Sequence, residues 1–178
     1  MRKFYSAVMA GVMTGLGSAA FLGTEIREVG SFLFSIGMFA SLAMGLPLYI
    51  GRCAPAILDT PRKYNTLPLM LLGNMVGAIL CGLVYGLAVT SRAPDLLSAR
   101  MTQSFFSTLA RGLFCGMIIY AGAYSWKHME TSKPVGTLLA VTAFVVSSFE
   151  NSIADAFYFS AAYFQTGQFV IGVLPFMA

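Results

Sequence analysis

From Phe4 to Thr24 the chain carries no charged side chain, and the same holds from Val29 to Gly51 and from Tyr64 to Ser91. Each run reaches the roughly 20 residues that an α-helix needs to cross the hydrocarbon core of a bilayer. Two further runs have defects: Met101 to Trp126 is interrupted only by Arg111, and Pro134 to Phe164 only by Glu150 and Asp155. In hydrocarbon every backbone N–H and C=O has to be bonded within the protein, so runs of this length leave the helix as the structure available to them. Composition agrees, with 57% hydrophobic and 10% charged residues against about 25% charged in an ordinary globular domain. The chain therefore reads as an all-α integral membrane protein, a single transmembrane domain over residues 1–178 with no room for a soluble one. Its first span follows Arg2 and Lys3 as a signal peptide would, but it is long, Gly-rich and followed at once by another span, so it reads as a retained helix. A last apolar segment, Gly167 to Ala178, is too short to cross.

The net charge of +4 matters less than its placement. With the N-terminus cytoplasmic, Arg2, Lys3, Arg52, Arg62, Lys63, Lys127 and Lys133 fall inside, and Arg27, Arg92 and Arg100 outside. The excess on one side is the signature of a multi-pass protein of the cell (inner or plasma) membrane. A nucleic-acid surface would instead gather its cations on one face with aromatics between them, so no nucleic-acid partner is expected. The three cysteines, Cys53, Cys81 and Cys115, are too far apart for a metal or disulfide framework, and no metal or cofactor is expected. The single histidine, His128, falls in a predicted cytoplasmic loop beside Lys127, where a solvated surface role is expected. A Ser/His intramembrane protease needs a histidine at membrane depth, and this chain has none there, which argues against an enzyme.

The chain repeats itself. Gly11 to Gly15 (GVMTG) in the first span is echoed by Gly112 to Gly116 (GLFCG) in the fourth, and Leu67 to Met70 (LPLM) by Leu174 to Met177 (LPFM). Small residues at this spacing allow close helix contact. Two three-span halves result, a first repeat over about 1–91 and an incomplete second over about 100–178. An odd number of spans per half turns the second upside down relative to the first, the inverted-repeat arrangement of many transporters and channels.

In such folds the substrate path runs between helices broken near mid-membrane at corresponding places in the halves. The second span holds Gly45 and Pro47 where a helix would continue, and Pro47 removes a backbone donor. The fifth is interrupted by Ser147, Ser148, Glu150, Asn151, Ser152 and Asp155. Freed amides and polar side chains at this depth have to be buried in protein or line a cavity. The expected fold is thus an aquaporin-like inverted pair of three-helix repeats with broken second and fifth helices.

Phe149 to Asp155, FENSIAD, resembles the FEHSIAN signature of the formate/nitrite transporter family. LARGLFCGMIIY is similar to the family's RGxLCNxLV stretch, FSIG at Phe34 to Gly37 to its FSxG, GLPLYIG to its GxxLFTG, and LLGNMVGA to its GNxxGA. The resemblance implies a homopentamer of aquaporin-like protomers, each with its own pore, passing formate, nitrite or related small anions such as hydrosulfide or short monocarboxylates. It places Phe34 and Tyr49 at two aromatic constrictions and Arg100 at a basic vestibule position. Asn151 stands for the central pore histidine, Ile50 for the threonine facing it, Gly116 for an asparagine that positions the basic residue, and Pro47 for an acidic residue. An amide donates hydrogen bonds but does not titrate, so position 151 itself confers no pH response. The alternative is a degenerate or truncated, non-conducting membrane paralogue with a structural role. A water or glycerol channel would carry paired NPA motifs, which this sequence lacks.

Charges in the spans need partners, since each costs at least about 2.5 to 3.5 kcal/mol unpaired at the bilayer centre. Glu150 is expected to pair with Arg111 or with freed amides at the break. For Asp155, support within the protein and exposure in a vestibule stand as equal expectations. The aromatics from Tyr158 to Phe164 suit an interfacial belt as well as a pore lining.

Overall fold

The computed structural model describes residues 2–53 and 66–167. These form α1 (Arg2–Leu22), α2 (Arg27–Ala43), α3 (Leu67–Ala88), α4 (Ala93–Met101), α5 (Phe105–His128), α6 (Lys133–Val146) and α7 (Ser152–Thr166). No strand occurs among the described residues. α1, α3 and α5 are long and apolar enough to cross a membrane unaided. The Leu174–Met177 echo, the Gly167–Ala178 segment beyond its first residue, Arg62 and Lys63 lie outside the described residues.

The second and fifth spans are broken, as the sequence indicates, and one hydrogen-bond pattern closes both α2 and α6. After α2, Gly45 N–H donates to the Leu42 carbonyl and Leu46 N–H to that of Ser41; after α6, Ser148 N–H donates to Val145 and Phe149 N–H to Phe144. Each is a Schellman close, which needs one residue in the left-handed region. Gly45 supplies it at φ 65° without a Cβ penalty, whereas Ser148 at φ 55° is a side-chain-bearing residue there. Two arginines hold Ser148 in place: Arg27 donates to its hydroxyl and Arg111 Nη1 to its carbonyl at 3.4 Å.

Beyond the second break the chain is tied by Asn74, fully buried in α3. Its Oδ1 accepts the Tyr49 N–H at 2.8 Å, while Nδ2 donates to the carbonyls of Ala7 (2.9 Å) and Pro47 (3.1 Å). One side chain thus joins α1, α3 and the break. Beyond the other break, Asn151 caps α7, its Oδ1 accepting from Ile153 N–H (3.1 Å) and Ala154 N–H (3.3 Å). Both amides satisfy donors that the interrupted helices would otherwise strand.

α1 packs most extensively on α3 and α2, α7 lies against α3, and α6 bridges α5 to α2. The core is centred on α7, where every residue from Ile153 to Phe159 is buried. Gly11 explains the α1–α3 approach, since a Cβ there would stand 2.0 Å from the Asn74 carbonyl oxygen. At the matching glycines of the fourth span no such close approach occurs within the protomer among the described residues. A Cβ on Gly112 or on Gly116 would meet open space, because α5 touches α6 on one face and exposes Phe106, Leu109, Leu113 and Met117 elsewhere. Between the third and fourth apolar runs the chain forms α4, started by Pro94 in its first turn and laid against α7.

Candidate functional site

Three cavities adjoin the breaks. The first, about 220 Å³, is lined by Arg27, Arg92 and Arg100 together with Phe34, Asn151 and Tyr158. A central chamber of about 10 Å³ follows, bounded by Phe34, Phe144, Leu48, Ile50, Asn151 and Ile153. The third, about 570 Å³, carries Arg52, Lys127 and His128 with Tyr120, Tyr124 and Leu48. Phe34, Phe144 and Asn151 border both the first cavity and the chamber, and Leu48 borders both the chamber and the third. The chamber holds at most about one water, between the edge-to-face rings of Phe34 and Phe144 (5.6 Å apart) and the aliphatic ends of Leu48 and Ile50. Such a constriction resists wetting. Its chief polar group is Asn151, whose Oδ1 is spent on capping α7, leaving the NH2 as the amide's available donor.

The two junctions stand in register. Leu48 is the third residue past Gly45 and Asn151 the third past Ser148. Aligning the halves on the left-handed residues that the structure shows pairs Leu48 with Asn151, where the family motif points to Tyr49. Tyr49 does not line these cavities; its backbone is engaged by Asn74. Ile50 does face the chamber, Phe34 stands at its boundary, and Gly116 is outside the three linings. Phe144 was missed because nothing in the sequence marks it from other apolar residues of its span.

The charges pair differently from the expectation. Glu150 accepts from Arg100 Nε at Oε2 and from Gln103 Nε2 at Oε1, both at 2.9 Å, while Arg111 serves the Ser148 carbonyl. The reason is topological: α4 lies along α7 and carries Arg100 and Gln103 to the break. Asp155 is fully buried, not exposed in a vestibule, with Oδ1 2.7 Å from the same Arg100 Nε. The Arg100 guanidinium also covers the Tyr158 ring, 5.4 Å from its centroid. Its charge is thus countered locally, whereas Arg27 and Arg92 have no carboxylate paired to them among the described residues. Arg92 donates to the Phe21 and Thr24 carbonyls, bonds that hold the guanidinium without cancelling its charge. In the aromatic run Tyr158 lines the first cavity, while Tyr163 and Phe164 are exposed. His128 stacks on Tyr124 with centroids 4.0 Å apart at the wall of the third cavity.

The sequence profile of formate/nitrite transporters matches residues 1–177. The chain belongs to the formate/nitrite transporter family. Its fold agrees with two solved structures. One, described as an FNT family ion channel, has a TM-score of 0.83 at 20% identity, over 98% of this chain and 80% of that one. The other, a pentameric formate channel with formate bound, has a TM-score of 0.74 at 20% identity, over 90% and 74%. No curated protein matches the chain significantly. As a member of this family it is a membrane protein with the fold of a channel, which accounts for both breaks and for cavities on either side of a narrow centre.

Proposed function

We propose that the chain conducts small monovalent anions, of the size and charge of formate, nitrite, hydrosulfide or a short monocarboxylate, along the line of the three cavities, and is a transporter rather than an enzyme. The observation that carries this reading is a chamber for about one water between two larger cavities that are each lined by cations, Arg27 and Arg92 on one side and Arg52 and Lys127 on the other. Cationic mouths concentrate anions, and the narrow apolar centre sets an upper size. The site residues of this path are Phe34, Leu48, Ile50 and Asn151, with Arg100 at the first mouth; Tyr49 and Gly116 would act through the backbone and packing around it. The positive-inside distribution puts the N-terminus and the Lys127 cavity on the cytoplasmic side of the cell membrane.

The halves, about 1–91 and 100–178, form one domain with inverted repeats, supported by the identical hydrogen bonding at Gly45 and Ser148. Assembly is as a homopentamer, as in the formate channel of like fold, with the exposed apolar face of α5 available to lipid or to a neighbouring protomer. Nitrite or formate flux into proteoliposomes tests the reading. Uptake above that of empty liposomes, abolished by Leu48→Trp at the chamber, is expected. Uptake equal to empty liposomes would refute it.

A further inference from the structure

Among the described residues Ser148 is the one side-chain-bearing residue in the left-handed region, at φ 55°. Its Cβ crowds the following carbonyl there, a cost that glycine escapes. Three contacts from other elements converge on this residue and the next. Arg27, the first residue of α2, donates to the Ser148 hydroxyl. Arg111 of α5 donates from Nη1 to the Ser148 carbonyl at 3.4 Å. Phe114, three residues further along α5 and so on the same side of that helix, stacks on Phe149 with ring centroids 5.4 Å apart. At the corresponding turn of the first half the chain has Gly45 and no Cβ to hold. Of the two arginines, Arg111 lines none of the three cavities, and no carboxylate is paired with it among the described residues. A guanidinium inside a span is costly and calls for a role; this one is spent on a single carbonyl.

We propose that Arg111 is a positioning residue for permeation: together with Arg27 it holds Ser148 left-handed, and thereby fixes where the Asn151 amide stands at the central chamber. The proposal rests on the reading of that chamber as part of an anion path. While residue 148 stays left-handed, Ser148 and Phe149 N–H close α6 on the carbonyls of Val145 and Phe144, and the link to Asn151 leaves the helix in one direction. Asn151 then caps α7 through Oδ1 at the border of the chamber, with its NH2 as the donor open to an anion. If residue 148 relaxes to a right-handed or extended conformation, both closing bonds are lost and the link turns elsewhere. The donor then no longer meets the constriction. Serine in place of glycine also gives α2 a hydroxyl to hold, so that Arg27 ties the break of the second half to the first half.

Substitutions in the full-length protein test this. Ser148→Gly and Ser148→Ala both delete the hydroxyl and its bond to Arg27, but only alanine keeps the Cβ. In proteoliposomes Ser148→Gly should conduct nitrite at close to the wild-type rate, and Ser148→Ala up to about thirtyfold less, the factor that a left-handed Cβ carries. Arg111→Met, which removes the donor, should lower nitrite flux on the same scale. Arg111→Met combined with Ser148→Gly should return to the level of Ser148→Gly, because glycine takes positive φ without support. Hydrogen exchange over residues 147–151, followed by mass spectrometry, reads the hold independently of flux: faster than wild type in Arg111→Met and in Ser148→Ala, and slow again in the double variant. A double variant as impaired as Arg111→Met would overturn the proposal, since the arginine would then act through its charge or its packing. Ser148→Ala equal to Ser148→Gly in both flux and exchange would overturn it too. Exchange as expected beside wild-type flux in Arg111→Met would overturn the control of permeation. Where Arg111→Met yields no folded protein, folded yield takes the place of flux: its recovery in the double variant supports the hold, and no recovery overturns it. Absence of nitrite flux from the wild type would count against the anion path, and exchange would still decide the hold on Ser148.

Discussion

Replacing Asn74 by leucine keeps its bulk and removes its bonds to Tyr49 N–H, Ala7 C=O and Pro47 C=O. Ala7 lies inside α1, so its carbonyl keeps an intrahelical partner. The Tyr49 N–H and the Pro47 carbonyl sit in the break and lose the partner that α3 supplies. An unsatisfied buried group costs about 1–3 kcal/mol, which sets an upper range of about 2–6 kcal/mol for the two. Hydrogen bonds between membrane helices average about 0.6 kcal/mol each, because the unfolded state also finds partners, so three bonds set a floor of about 2 kcal/mol. Asn74→Leu should therefore destabilise the protein by about 2–6 kcal/mol in denaturant unfolding followed by circular dichroism. Leu48 and Ile50 flank the released Tyr49, so the central chamber loses its geometry and anion flux should fall along with stability. Ser160→Ala, which removes only bonds within α7, serves as the control with little effect. A loss below about 1 kcal/mol with unchanged flux would show that Asn74 is not the tie between α1, α3 and the break.

Gly11→Val should be more disruptive than Gly112→Val, because its Cβ would collide with the Asn74 carbonyl whereas position 112 opens on free space in the protomer; folded yield in detergent decides, and equal yields would refute the packing. Arg92→Gln should lower anion flux at low ionic strength and lose that effect at high salt, where charges are screened over about 3 Å at 1 M instead of 10 Å at 0.1 M. Arg100→Gln should act differently, leaving Glu150 and Asp155 without their cation and lowering thermal stability at every salt concentration. Leu48→Ala should widen the chamber between the two cavities and admit larger monocarboxylates than the wild type; an unchanged size limit in flux assays would place the constriction elsewhere.

The uncharged runs by themselves determined a bundle of membrane helices, because hydrocarbon forbids unpaired backbone and a run of about 20 apolar residues has one way to satisfy it. Both helix breaks were legible for the same reason. Gly45, Pro47 and the polar stretch from Ser147 to Asp155 are residues that a continuous span would not carry, and FENSIAD pointed to the family that the profile match then showed. Which side chains meet across the breaks was decided only by tertiary structure. Glu150 finds Arg100 instead of Arg111 because α4, a short helix with no membrane-length signal, lies along α7. Asp155 is buried because the same packing covers its face of α7. Leu48, not Tyr49, reaches the chamber because Asn74 engages the backbone of Tyr49 from another helix. Hydrophobic length is a property of a segment and survives in the sequence. Pairing and cavity lining depend on the relative placement of segments distant in the chain, which local composition does not record.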